Sequence, residues 1–130
     1  MIIKTTPNIQ KAQSLSEMAE QTLERLQTTE IIKYPSNSLT DYYDIIHKLL
    51  EAIAAKQGVK TVGEGAHQEL IDNIAKTCTL PEQTRIFLQQ LRDYRNRISY
   101  EGFFINENFI TQNQQKIENI ILQLKELANK

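Results

Sequence analysis

The polar residues best suited to chemistry are concentrated in one stretch, residues 92–102, which reads RDYRNRISYEG. If this stretch is helical and its apolar side follows Phe87 and Leu91, its polar side chains share a separate arc of the helix surface. This polar arc consists of Arg92, Arg95, Asn96, Ser99 and Tyr100. Guanidinium groups donate forked hydrogen bonds that suit phosphate, and Asn and Ser donate to the same oxygens. The polar arc therefore predicts a surface for RNA backbone.

The arginines of this stretch also have purely structural interpretations. Arg92 and Arg97 fit a solvated helix face, on which Asp93 and Arg97 would form an i, i+4 ion pair of small value. Arg95 lies near the edge of the apolar arc, where an arginine usually needs an acidic or amide partner. A structural and a functional role for Arg95 therefore both stay open. Tyr94 falls on the apolar side and is expected in the core.

The two histidines give weaker signals. His47 falls within a predicted helix and is expected on the surface, whereas His67 follows a glycine-rich segment and could line a site. Neither has a second His or Cys at the spacing of a metal site, so we expect no metal. The glycine-rich segment, residues 58–65, matches neither a P-loop nor a dinucleotide fingerprint, and we expect no cofactor. No nucleophile motif is present.

Composition constrains the class of protein more than its activity. Fifteen basic residues nearly cancel sixteen acidic ones, so only a local patch such as that of Arg92, Arg95 and Arg97 could attract nucleic acid. The single cysteine, Cys78, rules out an intramolecular disulfide and is compatible with a reducing compartment. No apolar run approaches the roughly 20 residues of a membrane span, and the N-terminal stretch is too short for a signal sequence. We therefore expect a cytoplasmic protein with no membrane partner.

Apolar residues at helical spacing predict four or five amphipathic helices. The first helix runs from about Asn8 to about Glu30, and the second begins after a polar turn, at a capping box of Ser38 and Asp41. The second helix stops at Gly58, because glycine readily adopts the left-handed conformation that closes helices. A surface loop is expected over residues 58–65.

The second half of the chain predicts three further helices. A short third helix covers about residues 66–78, and a second capping box, formed by Thr79 and Glu82, starts the fourth. The fourth helix covers about residues 81–100 and is closed by Gly102. The fifth carries the most regular apolar repeat, over residues 117–128.

The predicted helices define the fold class. With short connections they pack most simply against one another, and we expect no strand pair. The sequence therefore predicts an all-α fold, an antiparallel four- to five-helix up-and-down bundle, in a single helical domain over residues 1–130. Phe103, Phe104 and Ile105 are expected to pack over the end of the bundle, with a partner-binding patch as the alternative.

The order Arg95-Asn96, three residues and then Tyr100 resembles the signature of HEPN domains (higher eukaryotes and prokaryotes nucleotide-binding). That signature is R-x(4-6)-H near the end of a late helix, often with Asn after the Arg. The resemblance covers most of residues 38–100 and includes the DYYDIIHKLLEAI and AHQELI segments. Tyr100 stands where the family has its histidine. The resemblance implies a compact α-helical domain that commonly forms a homodimer, with the two motifs facing one another.

The resemblance also implies roles for residues. Arg95 would hold or polarise the scissile phosphate, and Asn96 would orient the motif or donate to the same phosphate. Tyr100 would take the place of the catalytic histidine, although an unperturbed tyrosine has a pKa of about 10 and exchanges a proton less readily at neutral pH. The residues expected to contact nucleic acid around them are Arg92, Arg97, Ser99 and His67.

Three functions are compatible with this resemblance. Many HEPN domains are metal-independent endoribonucleases of toxin–antitoxin and defence systems, so the first hypothesis is a HEPN-like domain that binds or cleaves RNA. The alternative is a noncatalytic helical interaction module that partners a small nucleotidyltransferase or an antitoxin. A small-molecule nucleotide binder is a third possibility by family analogy alone.

Overall fold

A computed structural model describes all of residues 1–130 and confirms the predicted helical class. Five helices account for most of the chain, and two short strands form a minor sheet. In chain order the elements are β1 (Ile2–Lys4), α1 (Ile9–Gln27), α2 (Pro35–Gln57), β2 (Val59–Thr61), α3 (Ala66–Thr77), α4 (Glu82–Glu101) and α5 (Glu107–Asn129). None of the helices combines the length and the hydropathy that crossing a membrane requires.

Helix α2 is the centre of the fold. A helix on the surface of a bundle buries one stripe, but the buried residues of α2 occupy most of its circumference, so it needs neighbours on several sides. It packs against α1, α3, α4, α5 and β2. Its largest fully buried side chains are those of Leu39, Tyr42, Tyr43, Ile45, Ile46, Leu49 and Leu50.

Helix α5 runs parallel to α2. Near the start of α2, the Tyr42 hydroxyl donates to Glu118 Oε2 (2.7 Å), and near its end Lys56 Nζ donates to the Lys130 carbonyl (3.0 Å). Residue numbers therefore increase in the same direction along both helices. The predicted strict up-and-down alternation is wrong for this pair.

Helix α3 also runs parallel to α2. The His47 ring stacks on the His67 ring, and one end of α2 is tied to the end of α3 where Gln57 Nε2 donates to Thr77 Oγ1 (2.9 Å). Consecutive helices can be parallel only if the chain between them returns along the first helix. Residues 58–65 make this return, so α3 begins beside the middle of α2 rather than beside its end.

Residues 58–65 are held along α2 by a two-stranded antiparallel sheet, which the sequence did not predict. Strand β1 pairs with β2 in the register Ile2 with Thr61, Ile3 with Lys60 and Lys4 with Val59. Each strand is only three residues long, too short for an alternating pattern to stand out. Residues 58–65 are therefore not simply a surface loop.

The helix starts differ from the predicted capping boxes. Helix α2 begins at Pro35, three residues before Ser38, because proline needs no N–H partner in the first turn. The buried Ser38 hydroxyl instead donates to the Ile31 carbonyl (2.6 Å). Thr79 has a φ of 54° and makes no cap, and α4 starts after Pro81 with no side-chain hydrogen bond. Both predicted capping boxes are wrong.

The end of α4 agrees with the sequence better than its start. Gly102 closes the helix with a φ of 67°. Beyond it Ile105 is buried and Phe103 packs against the ring of Tyr94, as expected of a plug over the bundle. Phe104 does not join them, since 86% of its surface is exposed.

Candidate functional site

The return of the chain along α2 brings the two histidines into contact. The ring centroids of His47 and His67 lie 4.1 Å apart with the planes at 30°, and the Tyr43 ring lies 6.0 Å from the first and 6.5 Å from the second. Tyr43 and His47 share one face of α2 because they are four residues apart. Three aromatic side chains from α2 and α3 therefore form one cluster.

His47 is largely buried, with 16% of its side chain exposed, so the prediction of a surface histidine is wrong. Burial is the main cause that lowers the His47 pKa to about 4, and nearby positive charge on His67, Lys48 and Arg95 lowers it further. The Glu51 carboxylate lies 3.2 Å from Nε2, close enough to accept a hydrogen bond from a neutral ring that carries its proton there. The ring is therefore neutral at pH 7.

Two polar atoms of the cluster have no partner. His47 Nδ1 and the Tyr43 hydroxyl are both buried and make no hydrogen bond. Burial, the largest cause, raises the Tyr43 pKa to about 12, although the charges of Arg92 and Arg95 oppose the shift. Unpaired buried polar groups cost free energy, and they occur more often at functional sites than in ordinary cores.

Helix α4 places Arg95 beside this cluster. It runs antiparallel to α3, since Arg85 donates to Asp72 Oδ1 (3.0 Å) and, one turn later in α4, Gln89 Nε2 donates to the Gln68 carbonyl (3.0 Å). Helix α4 then continues past the start of α3 to reach α2. There Arg95 Nε lies 3.7 Å from Asp44 Oδ1. This separation is too long for a hydrogen bond, and Nε is buried without a partner.

Arg95 therefore has an acidic neighbour, but the N–H groups of its guanidinium make no hydrogen bond. Its side chain is 25% exposed, so its guanidinium group is reachable from solvent. Burial raises the Asp44 pKa, with Arg95 the leading opposing influence. The His67 pKa is lowered, first by burial and then by the charge of Arg95. Arg95, Asp44 and the histidines thus share one electrostatic environment.

Arg92 and Ser99 lie one turn to either side of Arg95 on the same face of α4. Arg92 is close enough to influence the pKa values of Tyr43 and His67, and its Nε donates to the neutral Gln89 Oε1 (2.8 Å). Its positive charge is not paired with a carboxylate. Ser99, one turn beyond Arg95, is exposed.

Arg97 lies on another side of α4. Its guanidinium carbon lies 4.2 Å from the centroid of the Phe103 ring, and the predicted ion pair with Asp93 does not form. At about 100° per residue, Arg97 is about 160° around the helix from Arg95. Arg97 therefore packs on the aromatic plug rather than beside the histidines.

The structure does not bring Arg95 and Tyr100 together within one chain. Tyr100 lies about 140° around α4 from Arg95, and no hydrogen bond joins the two. Among the large apolar residues it is one of the most exposed, at 80%. Asn96 lies between them around the helix and is half-buried.

A cleft of about 320 Å³ opens beside the histidines. One wall is the segment between β1 and α1 with the first turn of α1, another is β2, a third is the start of α3, and the base is the second half of α2. Its lining combines lysine, threonine and histidine side chains with small apolar ones. No three His, Cys, Asp or Glu side chains in the protein converge as metal ligands.

Sequence reasoning missed Tyr43 and His47 as part of this site. The available signal was a polar stripe at Tyr43, His47 and Glu51, spaced four residues apart within a helix that is otherwise strongly apolar.

Comparison with known proteins identifies no relative. No family model matches the chain, and no curated protein or solved structure is significantly similar to it.

Proposed function

We propose that the protein is a HEPN-like RNA-binding domain in which Arg95 holds a backbone phosphate beside the paired histidines. One observation carries the proposal: the guanidinium group of Arg95 makes no hydrogen bond within the protein, and its charge influences both imidazoles. A phosphate oxygen would accept from the terminal guanidinium nitrogens of Arg95, because the buried Nε cannot reach a ligand in solvent.

The charges around Arg95 favour an anion. Asp44 offsets part of the Arg95 charge, but the nearby Arg92 contacts only a neutral amide. His67 is exposed and its lowered pKa keeps it uncharged near neutral pH. A bound phosphate would raise that pKa, because an adjacent negative charge favours the imidazolium form. RNA binding should therefore strengthen as the pH falls below neutral.

The same residues support a metal-independent cleavage. In this reaction the ribose 2′-hydroxyl attacks the neighbouring phosphorus, its proton passes to the neutral His67 imidazole, and the bond to the 5′-oxygen breaks. The leaving 5′-oxygen takes a proton from an acid. Since Tyr100 of the same chain points elsewhere on α4, a homodimer with facing motifs would be needed to supply a tyrosine hydroxyl from a second copy. Asn96 and Ser99 would then contact the flanking backbone.

The cleavage test uses purified protein, structured and tRNA-like substrates, and EDTA. We expect cleavage that is lost in Arg95→Ala and in His67→Ala but retained in Arg97→Ala, which removes the same charge from another side of α4. Absence of cleavage by the native protein, or equal activity in Arg95→Ala, would eliminate the nuclease and leave binding as the function to be measured.

A second function is favoured by a separate observation. Tyr100 and Phe104 are 80% and 86% exposed at the end of α4, and two large aromatic rings this exposed are typical of interfaces. The protein would then be a noncatalytic module that partners a small nucleotidyltransferase or an antitoxin within a toxin–antitoxin or defence system. Co-purification with the product of a neighbouring gene, lost in Tyr100→Ser/Phe104→Ser, is the expected result. A monomer that retains no partner would contradict it.

A further inference from the structure

We propose that the cleft beside the histidines binds a phosphate monoester, at a position separate from the phosphate held by Arg95. The ligand is defined by its chemistry: a dianionic phosphate carried on a small body with an apolar face. Two sources supply this chemistry, a free mononucleotide and the 5′-phosphate of an RNA end. The phosphate would be held by Lys11 and Lys60, which the proposed RNA site does not use, although His67 borders both sites.

The size and depth of the cleft suit a small ligand. Its volume of about 320 Å³ falls at the lower end of the range of small-molecule sites, about 300–1,000 Å³. The apolar part of the lining comes mainly from small side chains, which leave room for a ligand. These residues are Ala54, Ala55, Val59, Ala66 and Leu70.

The rim supplies the groups that bind phosphate. Lys11 and Lys60 enter from different walls, and neither forms an ion pair with a carboxylate of the protein. Thr5, Thr6 and Thr61 add hydroxyl groups that make no hydrogen bond within the protein. Two unpaired ammonium groups with neighbouring hydroxyls match a phosphate dianion, which offers charge and several acceptor oxygens.

Aromatic and acidic groups occupy the side of the cleft nearest α2. His67 is exposed and lines the cleft together with the buried His47, so an imidazole face is available for stacking a flat ring. Glu51 also lines the cleft and can accept a hydrogen bond from an amino group or a ribose hydroxyl. These contacts distinguish a nucleotide from inorganic phosphate.

The walls of the cleft are fixed by backbone hydrogen bonds. The Thr5 N–H donates to the Gly58 carbonyl (2.7 Å), and the Asn8 N–H donates to the Ala55 carbonyl (2.9 Å). The β1–β2 ladder holds the opposite side. A site whose walls are already ordered loses little conformational entropy when a ligand binds, so a small ligand can bind usefully.

The experiment measures binding by calorimetry for two matched ligand pairs. The first pair is each nucleoside 5′-monophosphate against its nucleoside, and the second is a short 5′-phosphorylated oligoribonucleotide against the same oligomer with a 5′-hydroxyl. The protein variants are Lys11→Ala/Lys60→Ala and, as a control with the same change in net charge, Lys33→Ala/Lys76→Ala. Circular dichroism melting checks that each variant folds.

We expect the phosphorylated member of at least one pair to bind about tenfold more tightly than its partner, an advantage lost in the cleft variant and kept in the control. Tighter binding of the free nucleotide or of the phosphorylated oligomer shows which of the two supplies the phosphate monoester. Equal binding within both pairs, equal loss in both variants, or inorganic phosphate binding as tightly as either ligand would overturn the proposal. The 5′-hydroxyl oligomer should bind the native protein and Lys11→Ala/Lys60→Ala equally, because Lys11 and Lys60 are not part of the Arg95 site, so failure here is distinct from failure of the RNA site.

Discussion

The imidazole rings of His47 and His67 stack at a centroid distance of 4.1 Å, although twenty residues and an extended segment separate them in the chain. The contact exists because β2 carries the chain back along α2 before α3 begins. Two imidazoles this close cannot both take up a proton without mutual repulsion, and burial already disfavours the charged form of His47. The pair is consequently an electrically neutral element beside charged Arg95 at pH 7.

The neutral His47 predicts a specific loss of stability in acid. Its pKa is about 4 in the folded protein and about 6.5 in an unfolded chain, so between these values the unfolded chain takes up the proton that the folded protein rejects. The contribution of His47 therefore falls as the pH falls, by about 2 kcal/mol between pH 7.5 and pH 5. In His47→Gln, urea denaturation should show this part of the pH dependence removed. An identical pH dependence in native protein and His47→Gln would contradict the assignment.

Gly58 is predicted to be indispensable for the wall of the cleft. It has a φ of 74°, and a Cβ there would lie 2.8 Å from the Thr5 carbonyl oxygen. Gly63 has a similar φ of 81° but open space around it, so Gly63→Ala measures the backbone strain alone. We expect Gly63→Ala to cost about 1 kcal/mol in urea denaturation and Gly58→Ala to cost about 2–4 kcal/mol. Equal losses of stability in Gly58→Ala and Gly63→Ala would contradict this prediction, because they would show that Thr5 moves away from the added methyl group without cost.

The neighbouring tyrosines of α2 are predicted to respond in opposite ways to loss of their hydroxyl. Tyr42 donates to Glu118 Oε2, so Tyr42→Phe should lower the free energy of unfolding by about 1–2 kcal/mol. The Tyr43 hydroxyl is buried without a partner, so Tyr43→Phe should leave stability unchanged or raise it slightly. Chemical denaturation of the two variants gives the comparison. A loss of stability in Tyr43→Phe as large as that in Tyr42→Phe would contradict the unpaired hydroxyl.

The helices were predictable because periodicity is a local property. Residues such as Ile117, Ile121 and Leu124 repeat at helical spacing and are buried as expected, and Gly102 ends α4 where its conformational freedom is needed. The start of α2 was not predictable in this way. Ser38 resembles a cap by its spacing to Asp41, but its hydroxyl contacts the Ile31 carbonyl and Asp41 pairs with Arg25.

The site was only partly predictable because it depends on how distant segments meet. Arg95 and His67 were identified from their residue types and positions, and the structure brings them into one electrostatic environment. The direction of α3 depends on a ladder of two three-residue strands, too short to recognise, and without that direction His47 cannot be paired with His67. The separation of Tyr100 from Arg95 around α4 follows from their five-residue spacing within a helix, so this part of the site was predictable from the sequence.

The affinity of an uncleavable 2′-O-methyl oligoribonucleotide tests the central claim most directly. Fluorescence anisotropy should be measured for the native protein, Arg95→Ala and Arg97→Ala at several salt concentrations. Our account predicts that Arg95→Ala weakens binding about tenfold or more and reduces the salt dependence, whereas Arg97→Ala changes affinity much less. Equal affinities for the native protein and Arg95→Ala, or binding that does not weaken as salt rises, would contradict a phosphate site at Arg95.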